Sequence, residues 1–270
     1  MKLGLSSFSF GWAVGVKPYD TPAAEKMDLM DLIEKTHFYG LHLLQVGDNI
    51  PLDCLEQTQL DEARQLLELY DIELELGARG LLDDVLDSYI KLAQFFHSKL
   101  IRIVIDKDQY EPSPSKIVST ICRYKDKFES QGIYLAIENH DRLRALELTH
   151  IIEKIDSPYV GICLDTANSL GAEQGIVDVL EMLLKHTINL HIKDYTIRRI
   201  DYMMGFVVEG AAAGSGRLDI PHIIKEVTAN GRHANCILEQ WTPLQKNIQA
   251  TIDKEKCWVD EGIAYLKRFV

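Results

Sequence analysis

Four side chains that can bind a metal ion stand at or near the ends of four consecutive predicted strands. They are Glu138, Asp165, His191 and Glu239, in the segments LAIENH, GICLDTAN, LHIKDY and CILEQW. Each segment is a run of apolar, largely β-branched residues that gives way to polar residues. The carboxyl ends of the strands in a parallel β/α barrel meet at one rim, which carries the catalytic groups. Three bare carboxylates there would repel one another, so we expect a divalent cation among them.

The types of ligand indicate which ion to expect. Carboxylate oxygens with one imidazole favour Mn²⁺, with Mg²⁺, Co²⁺ or Zn²⁺ as alternatives. Such an ion polarises a carbonyl and acidifies the neighbouring C–H, and Glu138 and Glu239 would then exchange protons on opposite sides of the substrate. Taken singly, Asp165 is equally suited to capping a helix and His191 to a hydrogen-bonded core position. Their joint occurrence on adjacent strands favours the metal site.

Six further polar side chains near predicted strands are candidates for binding a substrate. Arg79, in a glycine-flanked turn, suits a carboxylate or phosphate group, and a surface arginine is the alternative. Arg102 is unusual in so apolar a strand and indicates either a structural ion pair or a contact at the barrel mouth. Lys193 suits a substrate oxyanion or carboxylate, or else a salt bridge to a neighbouring carboxylate. The remaining candidates are Asn168, Arg198 and His42.

Strand-like and helix-like segments alternate along the whole chain. Short apolar strands separated by helices are typical of a parallel sheet with right-handed crossovers. Eight such repeats predict closure, and therefore an α/β fold consisting of a single (β/α)8 TIM barrel domain over residues 1–270. The predicted strands are KLGLSSFSF, LHLLQVG, IELELGARG, LIRIVID, IYLAIEN, VGICLDT, NLHIKDY and CILEQW.

Capping signals place the helices between these strands. Thr21 with the following proline predicts one helix start, and Ser113 with Pro114 predicts another, which Gly132 closes. Asp219 begins a later helix. The longest stretch without periodicity runs from about residue 196 to 216 and is predicted to be a loop, a length typical of an active-site lid.

Composition narrows the classes of function. The formal charge of −12 opposes nonspecific binding to nucleic acid, so we expect a small polar substrate. No segment approaches the roughly 20 apolar residues of a membrane span, and the N-terminus has no secretory pattern.

The five cysteines form no CxxC pair, which is typical of reduced thiols in a cytoplasmic protein. Barrels of this kind often form homo-oligomers, although no sequence feature fixes the number of subunits.

The chain resembles the xylose isomerase-like superfamily, from KLGLSSFSF through IEN, LDT.N, HIKD and GSGRLD to LEQW. That group includes sugar-phosphate isomerases and epimerases, ketose 3-epimerases, inosose dehydratases, hydroxypyruvate isomerases and the endonuclease IV repair enzymes. The resemblance implies that Glu138, Asp165, His191 and Glu239 take the positions of the four metal ligands. It also implies that the two glutamates are the acid/base pair.

Two departures from the epimerase pattern bear on the reaction. Asn168 stands where the epimerases have a substrate-binding histidine, and Arg198 or Arg199 replaces their arginine within a longer segment. The histidine that Asn168 replaces is also a ligand of the three-metal cluster in the repair enzymes, which opposes a role in DNA repair.

These residues predict a metal-dependent isomerase or epimerase of carbohydrate metabolism. It would act on a sugar or sugar-derived keto acid by proton transfer next to a carbonyl, through a metal-bound enediolate. The alternative is a lyase at the same site, a 3-oxo sugar acid decarboxylase or a dehydratase, which Asn168 and the arginine-bearing strand ends favour. A non-catalytic sugar-binding barrel is a further alternative, opposed by the presence of both glutamates.

Overall fold

Eight parallel strands form a closed barrel, which confirms the predicted α/β TIM barrel fold. The computed structural model describes residues 1–16, 18–19, 21–22, 26–202 and 204–270. Around the barrel the strands follow the order β1-β10-β7-β6-β5-β4-β3-β2. Their bounds are β1 Leu3–Ser6, β2 Leu43–Val46, β3 Glu73–Arg79, β4 Leu100–Val104, β5 Tyr134–Glu138, β6 Val160–Asp165, β7 Thr187–Ile192 and β10 Asn235–Leu238.

Helices connect the strands and cover the barrel with their apolar faces. Ser113 caps α5 through its side chain, Pro114 occupies the first turn, and Gly132 ends the helix at a φ of 63°, as predicted. The start predicted at Thr21 is wrong, because a capping box between Asp28 and Asp31 begins α2 instead. The helices are α1 Gly11–Val14, α2 Leu29–Phe38, α3 Gln57–Tyr70, α4 Asp83–Phe96, α5 Pro114–Gln131, α6 Ala145–Ile155, α7 Ile176–Leu183, α8 Ile220–Asn230 and α9 Ile248–Leu266.

The predicted loop between β7 and α8 contains a two-stranded antiparallel sheet. Its strands are β8 Tyr195–Arg199 and β9 Phe206–Gly210, paired from Tyr195 with Gly210 to Arg199 with Phe206. Each strand spans only five residues, YTIRR and FVVEG, and neither shows a clear alternation of apolar and polar residues that would distinguish it from a loop in the sequence.

Strand register positions the predicted metal ligands. Asp165 lies directly beside His191 on β7, and Glu138 on β5 lies beside Cys163. Glu239 follows β10, and its backbone N–H donates to the carbonyl of Ile192. Because the strands are parallel, all four ligands lie at the carboxyl-terminal rim. Within the described ranges, no helix combines the length and apolar character that a membrane span requires.

Candidate metal centre

The four predicted ligands converge at one point of the rim, and each is at most 2% exposed. The Nδ1 atom of His191 lies 3.4 Å from Oε1 of Glu239, 3.8 Å from Oδ2 of Asp165 and 3.9 Å from Oε2 of Glu138. Ligands that share an ion at about 2.2 Å and at right angles are about 3 Å apart. The observed separations are therefore close to those of a common coordination shell.

Unsatisfied polar atoms test whether a metal ion fits this cluster. Both ring nitrogens of His191 are buried, and neither has a hydrogen-bond partner in the part of the chain that the structure describes. Glu138 Oε2 and Asp165 Oδ2 are likewise buried, with ion-pair contacts alone. Buried polar atoms are almost always hydrogen-bonded, and exceptions require an explanation such as an ion. A divalent cation bound by oxygen and imidazole ligands supplies that explanation.

Backbone and amide groups hold Asp165 in the orientation that a ligand needs. Its Oδ1 atom accepts N–H bonds from Ala167 and Asn168, both at 2.7 Å. The side chain of Asn139 makes two hydrogen bonds to the backbone of Asp165. Its Oδ1 accepts from Asp165 N at 2.7 Å, and its Nδ2 donates to Asp165 O at 2.8 Å. The bonds from Ala167 and Asn168 occupy Oδ1 and leave Asp165 Oδ2 facing the cluster. Asn139 follows Glu138 directly in IEN, and its role was not predicted from the sequence.

Two cations, the buried Arg102 and the part-buried Lys193, contact the carboxylates. The guanidinium of Arg102 contacts Glu138 Oε2, and Nζ of Lys193 lies 2.9 Å from Asp165 Oδ2 and 3.0 Å from Glu239 Oε2. Burial raises the pKa of Glu138, and the charge of Arg102 only partly opposes it. Burial acts to lower the pKa of Lys193, but Asp165 and Glu239 prevail and raise it.

Asn168 links the carboxylates to Lys193. Its Nδ2 atom donates to Glu138 Oε1 at 2.6 Å, while its Oδ1 atom accepts from Lys193 Nζ at 3.2 Å. On the other side, Ser6 Oγ donates to Glu239 Oε1 at 2.9 Å. Both glutamates are thus held at both of their carboxylate oxygens. Ser6 has no recognisable metal-site signal in the sequence beyond its place at the end of β1.

Asp48 joins Arg79 and Arg102 at the rim, and this role was not predicted from the sequence. It accepts from Arg79 Nε at 2.6 Å and from Arg102 Nη1 at 3.2 Å. Both arginines lower the pKa of Asp48 and together outweigh the effect of burial. The sequence signal was the polar GDN that follows β2.

Two of the predicted substrate contacts lie away from the cluster. His42 precedes β2 and is exposed at the amino-terminal end of the barrel, where its ring bonds the carbonyl of Asp71. The expectation for His42 was wrong because β2 begins one residue after it. Arg198 is more than half exposed on β8, and its guanidinium pairs with Glu209 on β9. The antiparallel sheet therefore turns Arg198 to solvent.

Comparison with known proteins identifies the family. Residues 55–269 match the family model described as xylose isomerase-like TIM barrel, and the chain belongs to that family.

The 3-oxo-isoapionate decarboxylase of Pectobacterium atrosepticum is 29% identical over 266 residues, which cover 98% of this chain and 95% of the relative. A solved D-psicose 3-epimerase from Clostridium cellulolyticum, determined with D-tagatose, superposes with a TM-score of 0.69 at 16% identity and coverage of 97% and 98%. A xylose isomerase-like TIM barrel protein from Mycobacterium smegmatis, in complex with magnesium, gives 0.70 at 14% identity and coverage of 98% and 97%. The two structures share the fold, and the relatives named for an activity are enzymes.

Proposed function

We propose that this protein is a divalent-metal-dependent lyase that decarboxylates a 3-oxo acid derived from a sugar. The observation that carries the proposal is that Glu138, one of the two candidate acid/base glutamates, is paired with the buried guanidinium of Arg102 and is thereby hindered from acting as a base. Epimerisation needs one carboxylate to remove a proton and a second to return one. Decarboxylation removes no proton and needs one donor. The full-length similarity to a decarboxylase supports the same choice.

Glu138, Asp165, His191 and Glu239 would hold the metal ion, and their oxygen and imidazole atoms suit Mn²⁺, with Mg²⁺, Co²⁺ or Zn²⁺ as alternatives. When bound, the ion supplies Lewis acidity that polarises the 3-oxo carbonyl of the substrate. The protein supplies the fixed orientation of these ligands and the exclusion of water from a rim where all four are buried.

In this reaction, the bond between the carboxyl carbon and the adjacent C2 breaks. Its electron pair forms the C2–C3 double bond of an enolate as CO₂ leaves. A proton then adds to C2 and restores the carbonyl at C3. Lys193 would supply this proton, and 13% of its side chain is exposed, so it can regain a proton from solvent. Arg79, with 34% of its side chain exposed, lies at the same rim to bind polar groups of the substrate.

Isomerisation or epimerisation of a sugar is the second candidate, and one feature of the cluster favours it. Around the barrel, Glu138 on β5 and Glu239 after β10 flank the two strands that carry Asp165 and His191. The two glutamates therefore approach the cluster from opposite sides, as an acid/base pair acting on both faces of one carbon requires.

Turnover of a substrate panel in D₂O separates these reactions. Protein loaded with Mn²⁺ is incubated with 3-oxo sugar acids and ketoses and followed by NMR. Release of CO₂ with one deuterium at C2 is the expected result, and protein treated with a chelator is the control. Deuterium incorporation without loss of carbon would instead support the isomerase, and loss of water would support a dehydratase. Absence of turnover with all four metals would support a non-catalytic sugar-binding barrel.

A further inference from the structure

Lys193 occupies the same carboxylate oxygens that a metal ion needs. Its ammonium nitrogen lies 2.9 Å from Asp165 Oδ2 and 3.0 Å from Glu239 Oε2. An ion about 2.2 Å from both oxygens would stand within about 5 Å of the ammonium nitrogen. Two cations that close in a buried site repel strongly. The ammonium group and the metal ion therefore compete for Asp165 and Glu239.

The charges of the cluster balance when the divalent ion, and not the ammonium group of Lys193, lies among the carboxylates. Glu138, Asp165 and Glu239 carry three negative charges. The guanidinium of Arg102 and a divalent ion neutralise them completely. The ammonium group of Lys193 is then a surplus positive charge in a buried site, which is unfavourable without a counter-ion. One further negative charge restores the balance.

The backbone of Lys193 is fixed while its side chain has a second partner. Thr166 Oγ1 accepts from Lys193 N at 2.9 Å and donates to Lys193 O at 3.2 Å. These two hydrogen bonds to Thr166, which directly follows β6, anchor the backbone of Lys193. Movement of Lys193 is therefore confined to its four-carbon side chain. Asn168 Oδ1 is part-buried and lies 3.2 Å from the ammonium nitrogen. It remains available as a hydrogen-bond acceptor when the ammonium group no longer contacts Asp165 and Glu239. Asn168 thereby acquires a role in place of the histidine found in epimerases.

We infer that Lys193 yields Asp165 and Glu239 to the metal ion, turns onto Asn168, and there binds the single carboxylate of an anionic substrate. The site would thus select a sugar-derived acid over a neutral sugar, because only the acid neutralises the released ammonium group. Placing that carboxylate against Lys193 also puts the ammonium proton beside C2 when CO₂ leaves. The identity of the anion rests on the proposed function, whereas the exchange with metal does not.

The exchange is tested by measuring Mn²⁺ affinity with calorimetry, without any substrate. Lys193→Met and Lys193→Gln remove the competing charge, and we expect both to bind Mn²⁺ at least tenfold more tightly than the unmodified protein. Lys185→Met is the matched control, because Lys185 pairs with exposed Glu153 at 2.8 Å on the surface; its affinity should not change. Circular dichroism verifies that each variant is folded. Equal or weaker affinity in the folded Lys193 variants would overturn the exchange.

Anion selection is tested with acetate and its neutral counterpart acetamide. Mn²⁺-loaded protein should enhance the relaxation of acetate methyl protons at least fivefold more than that of acetamide. In Lys193→Gln this ratio should fall towards one. An unchanged ratio would show that the anion binds elsewhere, at the metal or at Arg79, and would overturn this part of the inference. The Mn²⁺ affinity and the relaxation ratio can both be measured even if the protein turns over no 3-oxo acid. A negative result in either measurement is therefore distinct from a failure of the proposed decarboxylation.

Discussion

The guanidinium of Arg102 and the carboxylate of Glu138 form an ion pair inside the barrel, where the two residues are 3% and 2% exposed. Asp48 contacts the same guanidinium from the rim at 3.2 Å. The pair therefore joins the interior of β4 to the proposed metal centre. Removing one partner of a buried pair leaves the other charge uncompensated, which costs far more than the intact pair contributes.

Replacing Arg102 by methionine is expected to lower the free energy of unfolding by about 3–5 kcal/mol. Urea denaturation followed by circular dichroism in the presence of a chelator measures this loss. Arg123→Met is the control, because Arg123 pairs with Asp83 on the surface, where both side chains are about half exposed. Such a pair contributes less than about 1 kcal/mol. Equal losses in the two variants would contradict a structural role for the buried pair.

Loss of His191 should remove metal binding without unfolding the protein. His191→Ala is expected to weaken Mn²⁺ binding by more than about 100-fold, since even the loss of an outer-shell partner costs about 10–100-fold. Equilibrium dialysis followed by metal analysis is the measurement. His42→Ala serves as the control, because His42 is exposed at the opposite end of the barrel. Retention of tight binding by His191→Ala would show that the ion is held elsewhere.

The sequence predicted the barrel well because each buried strand is a short apolar run with polar residues at its end. Glu138, Asp165 and His191 stand at or next to strand ends, so the same pattern predicted that these side chains lie close together. It could not show that Asp48 contacts Arg79 and Arg102, because those contacts join residues far apart in the chain. Which carboxylate faces which cation depends on strand register, and a shift of one residue reverses the direction of every side chain.

Glu255 on α9 should make stability depend on pH. This carboxylate is 1% exposed and accepts N–H bonds from Trp12 at 2.9 Å and Ala13 at 3.1 Å. Burial raises its pKa to about 7, and the two backbone hydrogen bonds oppose this only in part. The folded protein therefore favours the protonated form. The stability that Glu255 contributes is fully present below its ordinary pKa and is lost as the pH rises to about 7.

The expected loss from this one group is about 3 kcal/mol between pH 4.5 and 8. It is measured as the difference in the free energy of unfolding between the unmodified protein and Glu255→Gln across that range. Glu34→Gln, which alters an exposed glutamate on α2, should leave the pH dependence unchanged. A parallel pH profile for the unmodified protein and Glu255→Gln would refute the assignment.

Asp194 explains the glycines of the segment that leads into α8. Its carboxylate is 1% exposed and accepts backbone N–H bonds from Gly214 at 3.0 Å and Gly216 at 2.9 Å. Tyr195 and Leu218 donate to its other oxygen at 2.8 Å and 3.2 Å. In the HIKD motif, the lysine therefore contacts the carboxylate cluster and the aspartate fixes the segment that follows β9.

A side chain at Gly216 would collide with the carboxylate of Asp194. Gly216→Ala is accordingly expected to lower the free energy of unfolding by about 1–3 kcal/mol, the usual cost of overpacking. Thermal and urea denaturation measure the change. Gly11→Ala is the matched control, because its added methyl group would lie 3.9 Å from the side chain of Glu255, and its helical backbone accepts alanine at a change below about 1 kcal/mol. If Gly216→Ala were as stable as Gly11→Ala, Asp194 would not be the group that determines the conformation of this segment.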